Sequence, residues 1–314
     1  MSLFLTGSYE VLSVYLSFTL TILALFTISY FGAFERGVRN QNIESFLMYL
    51  CSFSIFGFIL GNVFPALISD VVLGDSAHRA LLGVWFFDSQ VNIFSISLYR
   101  NQFFFWEPGL LQFYGNLLLM SCLFREQVNL TKVFISNLCV ISTFSATGLV
   151  ALIAVWSVYI VKTKNISTKM KLALGTIILC LCLPVTVSQL YSRLVGESYA
   201  SGFYRMYDLT SALKVFSGNI LFGIGYSPSL YESYLNEIGI VRGNSNGLVM
   251  IFVYFGFPLG LIFLIFIYNQ RIFPQKNIFF MLYFLYSMSE PITFFPISFL
   301  FICSVLFFKV KNEN

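Results

Sequence analysis

Three arginines in polar stretches of an otherwise apolar chain are suited to chemistry: Arg100, Arg205 and Arg242. A guanidinium group is a planar fork of hydrogen-bond donors that matches a phosphate and keeps its charge at physiological pH. Two acidic side chains follow in the sequence, Glu107 after Arg100 and Asp208 after Arg205. A carboxylate can take the proton of an attacking hydroxyl group. These residue types can hold a phosphorylated group and remove a proton, and they can equally form ordinary ion pairs and helix caps.

The composition of the chain indicates the environment of such a site. The 314 residues are 58% hydrophobic and 10% charged, with a mean hydropathy of +0.82. A soluble domain of this size needs far more charge to cover its surface. Several apolar runs are about 20 residues long, the length that crosses roughly 30 Å of hydrocarbon. The sequence therefore predicts an all-α, polytopic membrane protein that forms one integral membrane domain over residues 1–314.

About nine membrane helices are expected, within a range of about 8 to 11. The predicted segments are 11–33, 45–68, 110–124, 132–144, 147–161, 172–190, 247–268, 278–288 and 292–308. Two stretches are ambiguous, because 131–161 and 277–308 each fit either one long tilted helix or a tight hairpin.

The distribution of charge decides between these alternatives. The segment 162–171 carries four lysines and no acidic residue, so we expect it on the cytoplasmic side. If both ambiguous stretches are hairpins, 12 of the 18 Lys and Arg but only 4 of the 14 Asp and Glu lie inside. A single helix over 131–161 would instead separate the lysine cluster from Arg125. The other loops expected inside are 34–44, 125–131 and 269–277. Two long loops remain outside, at 69–109 and 191–246.

The segment RNQFFFWEPG (100–109) ends the first outer loop and predicts the start of a helix. Pro108 suits a first helical turn, and Glu107 beside it suits the positive end of the helix macrodipole. The four aromatic residues before them are typical of the headgroup level of a membrane. A capped helix therefore explains Glu107 as well as a catalytic role does, but it does not explain Arg100.

The second outer loop contains GFYRMYDLTSALKVFSGNILFGIGYSP (202–228). The pattern predicts an amphipathic helix over 204–217 that lies on the outer surface. Its apolar face has i, i+3, i+4, i+7 spacing: Leu209, Ala212, Leu213 and Phe216. Tyr204 and Arg205 begin the helix, and Asp208 follows Arg205 on the same side. The pair is either an ordinary exposed ion pair or a guanidinium aimed at a phosphate.

Polar residues also stand where other predicted membrane segments begin or turn. The set before the segment at 247 comprises Arg242, Asn244, Ser245 and Asn246. Helix capping is the ordinary explanation for the amide and hydroxyl groups, and ligand contact is the alternative. The hydroxyls of STFSATG (142–148) either contact a sugar or satisfy the backbone. Glu290 lies at the tip of the last hairpin, where it is either solvated or part of an outer site. The pair Gly223 and Gly225 predicts a tight turn.

The cysteines and the histidine give no sign of a redox or metal site in the sequence. All six cysteines fall inside apolar stretches and none forms a CxxC pair, which favours small buried side chains. His78 is the one histidine, so a histidine-built metal site is not expected.

The ordered set of motifs resembles a known family. The set comprises an arginine and EPG before a membrane segment, S-x-TG in a hairpin, R-x-x-D on an amphipathic helix, LFGIGY, and a polar cluster before YFGFPLG. A last segment broken by proline follows. The order resembles that of the O-antigen and capsular polysaccharide polymerases (the Wzy type), which share a superfamily with the O-antigen ligases. The resemblance covers about residues 45–308.

This resemblance implies a polytopic glycosyltransferase with a GT-C-like fold that uses neither a metal nor a nucleotide sugar. The implied donor and acceptor are oligosaccharide repeat units on undecaprenyl pyrophosphate. The implied site is in the bacterial inner membrane and faces the periplasm. Other expected partners are membrane lipid, a chain-length regulator (Wzz type) and a flippase, and no nucleic acid. No cofactor is expected.

The resemblance also implies roles for the residues above. Arg100 and Arg205 would hold the pyrophosphate as catalytic residues, with Glu107 and Asp208 as candidate proton acceptors. The implied substrate-binding residues are Arg242, Asn244, Ser245, Asn246, Glu290 and Tyr204. Ser245 occupies the position, counted back from Gly256, at which the ligases have a catalytic histidine.

Two alternatives to a polymerase remain. A ligase would transfer finished glycan to a lipid A core, but the serine at position 245 argues against it. A transporter or flippase of lipid-linked oligosaccharide would show inverted repeats and charges within the membrane segments. The sequence has no evident internal repeat, and its charges lie mostly in the predicted loops.

Overall fold

The computed structural model describes residues 36–73, 76–93, 96–105, 107–125, 127–163, 199–236 and 244–307, with isolated positions 176 and 187. The described chain is mostly helical, as predicted, with a few short strands. It divides into two compact units. The first unit contains Gln41–Gly202 and Met281–Tyr286. The second contains Met1–Asn40, Phe203–Phe280 and Ser287–Asn314.

The first unit is built around four long helices and a small amount of β-structure. The helices are α1 (Arg36–Val63), α2 (Pro108–Leu123), α3 (Leu130–Ser142) and α4 (Ala146–Lys162). Every residue of α2 except Tyr114 is buried, as expected for a helix that is apolar all round. Pro108 is the first residue of α2 and Glu107 is its N-cap residue, which confirms the predicted helix start.

The stretch 131–161 is a helical hairpin, as the charge argument predicted. Helix α3 ends at Ser142, and α4 begins at Ala146. The hydroxyls of Ser142 and Thr143 donate to the carbonyls of Cys139 and Val140, both within about one helical turn. These two hydroxyls of the STFSATG motif therefore satisfy the local backbone.

The first outer loop is not irregular, and the all-α prediction needs correction there. A 3-10 turn at Pro65–Leu67 leads into a three-stranded antiparallel sheet and then a separate hairpin. The strands are β1 (Ile68–Leu73), β2 (Ser76–Leu81) and β3 (Trp85–Phe86), followed by β4 (Gln90–Ile93) and β5 (Ile96–Tyr99). A sequence signal was present, because β1 is rich in β-branched residues and the Gly-Asp pair at 74–75, between β1 and β2, is a hairpin signal.

Two glycines on α1 leave room for aromatic side chains of this strand region. A Cβ atom at Gly57 would overlap the Trp85 ring, and one at Gly61 would overlap the Phe87 ring. The Trp85 indole N–H donates to the Phe53 carbonyl at 3.0 Å. Because Gly57 and Gly61 are four apart, they lie on one face of α1 and form a notch for two aromatic rings.

Residues from near the C-terminus complete the core of the first unit. Tyr283 and Tyr286 are fully buried, and the rings of Phe113 and Tyr286 lie 5.2 Å apart. The Asn116 amide donates to the Tyr286 hydroxyl at 2.6 Å. The side chain of Gln112, one turn before Asn116 on α2, packs directly against Gly148 on α4.

The second unit contains the most apolar of the described helices, α7 (Gly247–Tyr268). It also contains α5 (Tyr199–Gly218), α6 (Pro228–Asn236) and α9 (Pro296–Phe307), with a 3-10 turn at Ile292–Phe294. Helix α8 (Lys276–Ser287) is shared, because its residues Met281–Tyr286 belong to the first unit. Helix α8 ends before the 3-10 turn and α9, so 277–308 is also a hairpin, as predicted. Buried side chains of α5, α6 and α7 form one core cluster, which includes Val215, Tyr231 and Val253.

Helix α7 is interrupted at Gly256. This residue has φ 75° and ψ 174°, a backbone conformation available almost only to glycine. A Cβ atom at Gly256 would overlap the carbonyl of Leu221, so the loop between α5 and α6 lies directly against the break. Pro258, two residues later, has no N–H to donate to the Tyr254 carbonyl.

The α5–α6 loop replaces the helical hydrogen bonds that the break removes. Three backbone bonds join them: Phe257 N–H to Ile220 O (2.7 Å), Ile224 N–H to Val253 O (2.9 Å) and Gly225 N–H to Tyr254 O (2.9 Å). A Cβ atom at Gly223 would lie 2.6 Å from the Tyr254 oxygen. The FGIGY glycines therefore serve close backbone contact with the YFGFPLG break.

Two contacts within the first unit join loops that the sequence assigns to the same side. Glu44 forms ion pairs with Arg125 and Lys132, so the predicted inner loops 34–44 and 125–131 meet at one end of the first unit. Asn101 donates to the Ser142 hydroxyl at 2.9 Å, which joins the predicted outer loop to the α3–α4 tip.

Two helical stretches among the described residues are long and apolar enough to cross a membrane, Asn42–Val63 and Gly247–Tyr268. Shorter apolar helices occur at Leu130–Ser142 and Ala146–Lys162. The predicted segments 11–33 and 172–190 lie outside the described residues. Association with a membrane is therefore indicated by these two helices, and the multi-pass arrangement remains a proposal.

The contact between Gly148 and Gln112 predicts a stability defect. We expect Gly148→Ala to lower the free energy of unfolding by about 1–3 kcal/mol, because the new methyl overlaps the buried amide. Thermal unfolding of the detergent-solubilised protein measures this. The control is Gly218→Ala, where an added Cβ meets nothing within 4 Å. Adding Gln112→Ala to Gly148→Ala should recover part of the loss, and equal unfolding of Gly148→Ala and the wild type would contradict the contact.

Candidate functional site

Polar groups from four separated stretches meet at the N-terminal end of α7. They come from α5, from α6, from the turn that precedes α7 and from the tip between α8 and α9. All belong to the second unit. The residues are Arg205, Asp208, Asn244, Ser245, Asn246, Ser289 and Glu290, with Tyr231 from α6.

Asp208 joins α5 to the turn before α7. Its Oδ2 accepts the Ser245 hydroxyl at 2.7 Å and the Ser245 backbone N–H at 3.1 Å. The Asp208 side chain lies near the helix N-terminus, where the macrodipole favours a negative group. Only 2% of Asp208 is exposed, so a buried charge is compensated here by donors and the dipole.

Two asparagines complete this turn. Asn246 is the N-cap of α7, and its side chain accepts the Val249 N–H at 3.1 Å. This confirms the capping explanation for Asn246. Asn244 donates to the Asp208 carbonyl at 2.7 Å and to the Tyr231 hydroxyl at 2.8 Å. Burial raises the pKa of Tyr231, and hydrogen bonds from Ser211 and Asn244 offset this in part, so the phenol stays protonated at neutral pH.

Arg205 is held at the tip between α8 and α9. Its Nη1 donates to the Ser289 carbonyl at 2.7 Å, and its Nη2 lies 3.7 Å from Glu290 Oε1. The Arg205 side chain is 30% exposed, whereas the Glu290 side chain is 4% exposed. Glu290 is therefore buried beside a cation, which excludes the solvated alternative for this carboxylate.

Gly247 and Thr293 connect the Arg205 and Asp208 parts of the site. The Thr293 hydroxyl donates to the Gly247 carbonyl at 3.0 Å. A Cβ atom at Gly247 would lie 2.9 Å from the Glu290 carbonyl oxygen and 2.8 Å from the Pro291 Cα. The first residue of α7 must be small because the 290–293 tip packs on it.

We name the set Arg205, Asp208, Ser245 and Glu290 the outer cluster.

The predicted helix over 204–217 is present, but its buried face is rotated from the prediction. Ala212 is fully buried as expected, whereas Leu213 is 47% exposed. The buried face instead includes the polar residues Asp208 and Ser211, together with Val215. Hydrogen-bond partners on neighbouring elements allow these polar groups to be buried, and apolar periodicity alone cannot reveal that. The helix also packs along α7 and is not a separate surface helix.

Arg100 and Glu107 lie in the first unit and have local structural contacts. Arg100 Nε donates to the Thr143 carbonyl at 2.9 Å, at the C-terminal end of α3. A cation there complements the negative end of the helix dipole. The Glu107 side chain makes no capping hydrogen bond to α2 and is half-buried. Their phosphate and catalytic roles, and a pocket shared with Arg205, remain predictions.

Two predicted site residues remain, Arg242 and Tyr204. Arg242 lies outside the described residues. Tyr204 is 37% exposed, and its ring centroid lies 5.9 Å from that of Phe203. Tyr231 and Ser289 were not identified from sequence. Ser289 contributes a backbone carbonyl, which no side-chain pattern can reveal, and Tyr231 stands in a short helix without a recognisable motif.

The first unit also carries an apolar groove, of about 570 Å³, along an exposed face of α1. It is lined mainly by aromatic rings: Phe46, Tyr49, Phe53, Phe56, Phe103 and Phe104. In the part of the chain that the structure describes, no three His, Cys, Asp or Glu side chains are grouped to hold a metal ion.

No protein-family model matches the chain, and neither the curated proteins nor the solved structures include a significant match.

The Asp208–Ser245 contact predicts that stability depends on the carboxylate. We expect Asp208→Ala to lower the free energy of unfolding by about 1–3 kcal/mol, because two half-buried donors of Ser245 lose their acceptor. Asp208→Asn keeps one oxygen and should lose less. Thermal unfolding in detergent provides the comparison, with exposed Thr210→Ala on the same helix as control, expected within about 0.5 kcal/mol of wild type. A wild-type midpoint for Asp208→Ala would show that this contact does not stabilise the fold.

Proposed function

We propose that this chain is a multi-pass membrane glycosyltransferase that polymerises undecaprenyl-pyrophosphate-linked oligosaccharide units into O-antigen or capsular polysaccharide. The observation that carries the proposal is the outer cluster. An arginine, two buried carboxylates and a serine, from sequence motifs 37 to 85 positions apart, meet at the start of the most apolar of the described helices. These are the motifs on which the resemblance to the polymerases rests.

A location in the bacterial inner membrane, with the outer cluster facing the periplasm, is part of this proposal. Helices α1 and α7 have the length and composition of membrane spans. The charge distribution assigns the N-terminal end of α7 to the outer side. The contacts of Glu44 with Arg125 and Lys132 support the sides assigned to the inner loops.

The proposed reaction joins a sugar hydroxyl to an anomeric carbon. The new C–O bond forms as the bond from that carbon to the pyrophosphate breaks, and the hydroxyl proton passes to a carboxylate. Negative charge develops on the leaving diphosphate. Arg205 is oriented by Ser289 and Glu290 and still has an exposed part, so its guanidinium can stabilise this charge. The diphosphate role of Arg100, which belongs to the first unit, stays a prediction.

The outer cluster also supports a polymerase over a ligase. Ser245 stands where the ligases have a catalytic histidine, and its hydroxyl donates to Asp208. A serine in that arrangement holds the turn before α7 and does not act as a base. Asp208 and Glu290 are the carboxylates of the cluster that remain to accept the proton.

The apolar groove on α1 is the proposed site for the polyprenyl chain. Phe103 and Phe104, which line it, follow Arg100 by three and four residues. Three residues of extended chain span at most about 10 Å. A diphosphate bound at Arg100 could therefore continue directly into a groove lined by aromatic rings, and the groove lies on a helix apolar enough for the bilayer.

Substitution of Arg205 tests the site. We expect Arg205→Lys to abolish polymer while the protein still accumulates and unfolds at the wild-type temperature. A lysine offers a point charge and cannot hold both Ser289 and a diphosphate with a planar fork. The readout is polysaccharide chain length in the complemented deletion strain. The matched control is Lys214→Ala, an exposed basic residue on the same helix, which should keep normal chain length. Normal polymer with Arg205→Lys would remove Arg205 from the mechanism.

Deletion of the gene separates the three candidate activities. A polymerase deletion should leave glycans of a single repeat unit on the cell surface. Complete loss of attached repeats, with polymer retained on the lipid carrier, would instead support the ligase. Accumulation of lipid-linked units on the cytoplasmic leaflet would support the flippase. Either of these last two outcomes would overturn the proposed function.

A further inference from the structure

The loop between α5 and α6 exposes three consecutive apolar side chains at its tip. Ile220 is 50% exposed, Leu221 is 63% exposed and Phe222 is 87% exposed. A cluster of this kind is costly in water, and it usually marks a surface for lipid or protein. We call Ile220–Phe222 the apolar tip.

The apolar tip lies far along α7 from the outer cluster. Contacts between α5 and α7 advance together along both helices: Asp208 with Ser245, Phe216 with Phe252, and Ile220 with Phe257. The first and last contacts are separated by 12 residues on each chain segment, or about 18 Å of helix. Helix α5 therefore runs parallel to the first half of α7, down to the middle of that helix.

Helix α6 returns to the level of the outer cluster. Tyr231 on α6 accepts the Asn244 amide at 2.8 Å, and Asn244 also bonds to Asp208. The segment from α5 through the loop to α6 is therefore a hairpin that descends along α7 and comes back. Both of its ends lie on the side that the proposed function assigns to the periplasm.

The apolar tip continues an exposed apolar surface of α7. Phe257, whose N–H bonds to Ile220, is itself 49% exposed. Beyond it on α7, Leu259, Leu261, Ile262 and Ile265 are between 43% and 57% exposed. A helix that spans a bilayer presents such side chains to acyl chains, and the tip extends the same surface.

Several polar backbone groups beside the tip have partners within the second unit. Irregular backbone is tolerated at membrane depth only when its polar groups have partners. The N–H groups of Gly223, Ile224 and Gly225 donate to the carbonyls of Asn219, Val253 and Tyr254 at 2.9 Å each. Lys214 is the charged side chain nearest to the tip on α5, six residues after Asp208, and its long stem can carry the ammonium up toward the headgroups.

We propose that α5, the loop and α6 form a re-entrant hairpin whose apolar tip is inserted into the hydrocarbon of the bilayer, beside the break in α7. The inference rests on the membrane location in the proposed function. It departs from the sequence-based expectation that all of 191–246 lies outside the membrane. The hairpin fixes the depth of α7 and holds the outer cluster at the membrane surface.

Cysteine accessibility in sealed proteoliposomes tests the hairpin. The variants are Phe222→Cys at the tip, Ser233→Cys on the exposed face of α6 and Leu259→Cys on the exposed face of α7. The probe is a membrane-impermeant maleimide, and the wild type gives the background from native cysteines. We expect labelling at 233, and none at 222 or 259 until detergent is added. Because position 222 is 87% exposed, the substitution leaves the fold intact.

The outcomes separate this inference from the proposed function. Labelling at 222 as fast as at 233, with 259 protected, overturns the hairpin and leaves the membrane location standing. Labelling at both 222 and 259 overturns the membrane location and the hairpin with it. An environment-sensitive fluorophore attached to the Phe222→Cys variant adds depth: quenching by lipids with a nitroxide in mid-chain supports insertion, and quenching only by headgroup nitroxides contradicts it.

Discussion

The exchange of backbone hydrogen bonds at the break in α7 is the constraint on which the second unit depends. A helix in an apolar environment cannot leave the carbonyls of Val253 and Tyr254 without donors. Pro258 removes one donor, and the conformation of Gly256 redirects the chain. The loop after α5 supplies the replacements, so α5 must run along α7 to bring that loop to the middle of the helix. This in turn brings Asp208 beside Ser245.

The same arrangement explains how the outer cluster is held. Each charged group is positioned by a neighbour from a different element. Asp208 is fixed by Ser245, and Arg205 is fixed by the Ser289 carbonyl and Glu290. Removing one member of a buried pair leaves the other uncompensated, so fold and site are coupled at these positions.

Local features of the fold could be predicted from the sequence, whereas contacts between distant parts of the chain could not. Pro108 and the two hairpins were predictable, because helix starts and charge distribution are local or compositional signals. The strands after α1 were missed, although the Gly-Asp pair at 74–75 after the β-branched residues of β1 is a hairpin signal. Glu290 is 85 positions from its partner Arg205, and Ser245 is 37 positions from Asp208. No local periodicity encodes contacts over such sequence distances. The FGIGY and YFGFPLG motifs were both noted, but their mutual contact was not.

The bond between Asn116 and Tyr286 has a consequence for biogenesis. These residues are 170 positions apart, and both are buried in the first unit. While the ribosome is still short of residue 281, helix α2 exists with one flank uncovered and Asn116 lacks its phenolic partner. Helix α2 is therefore synthesised long before the residues that complete its packing. Premature termination near the C-terminus would then damage the half of the molecule that was synthesised first.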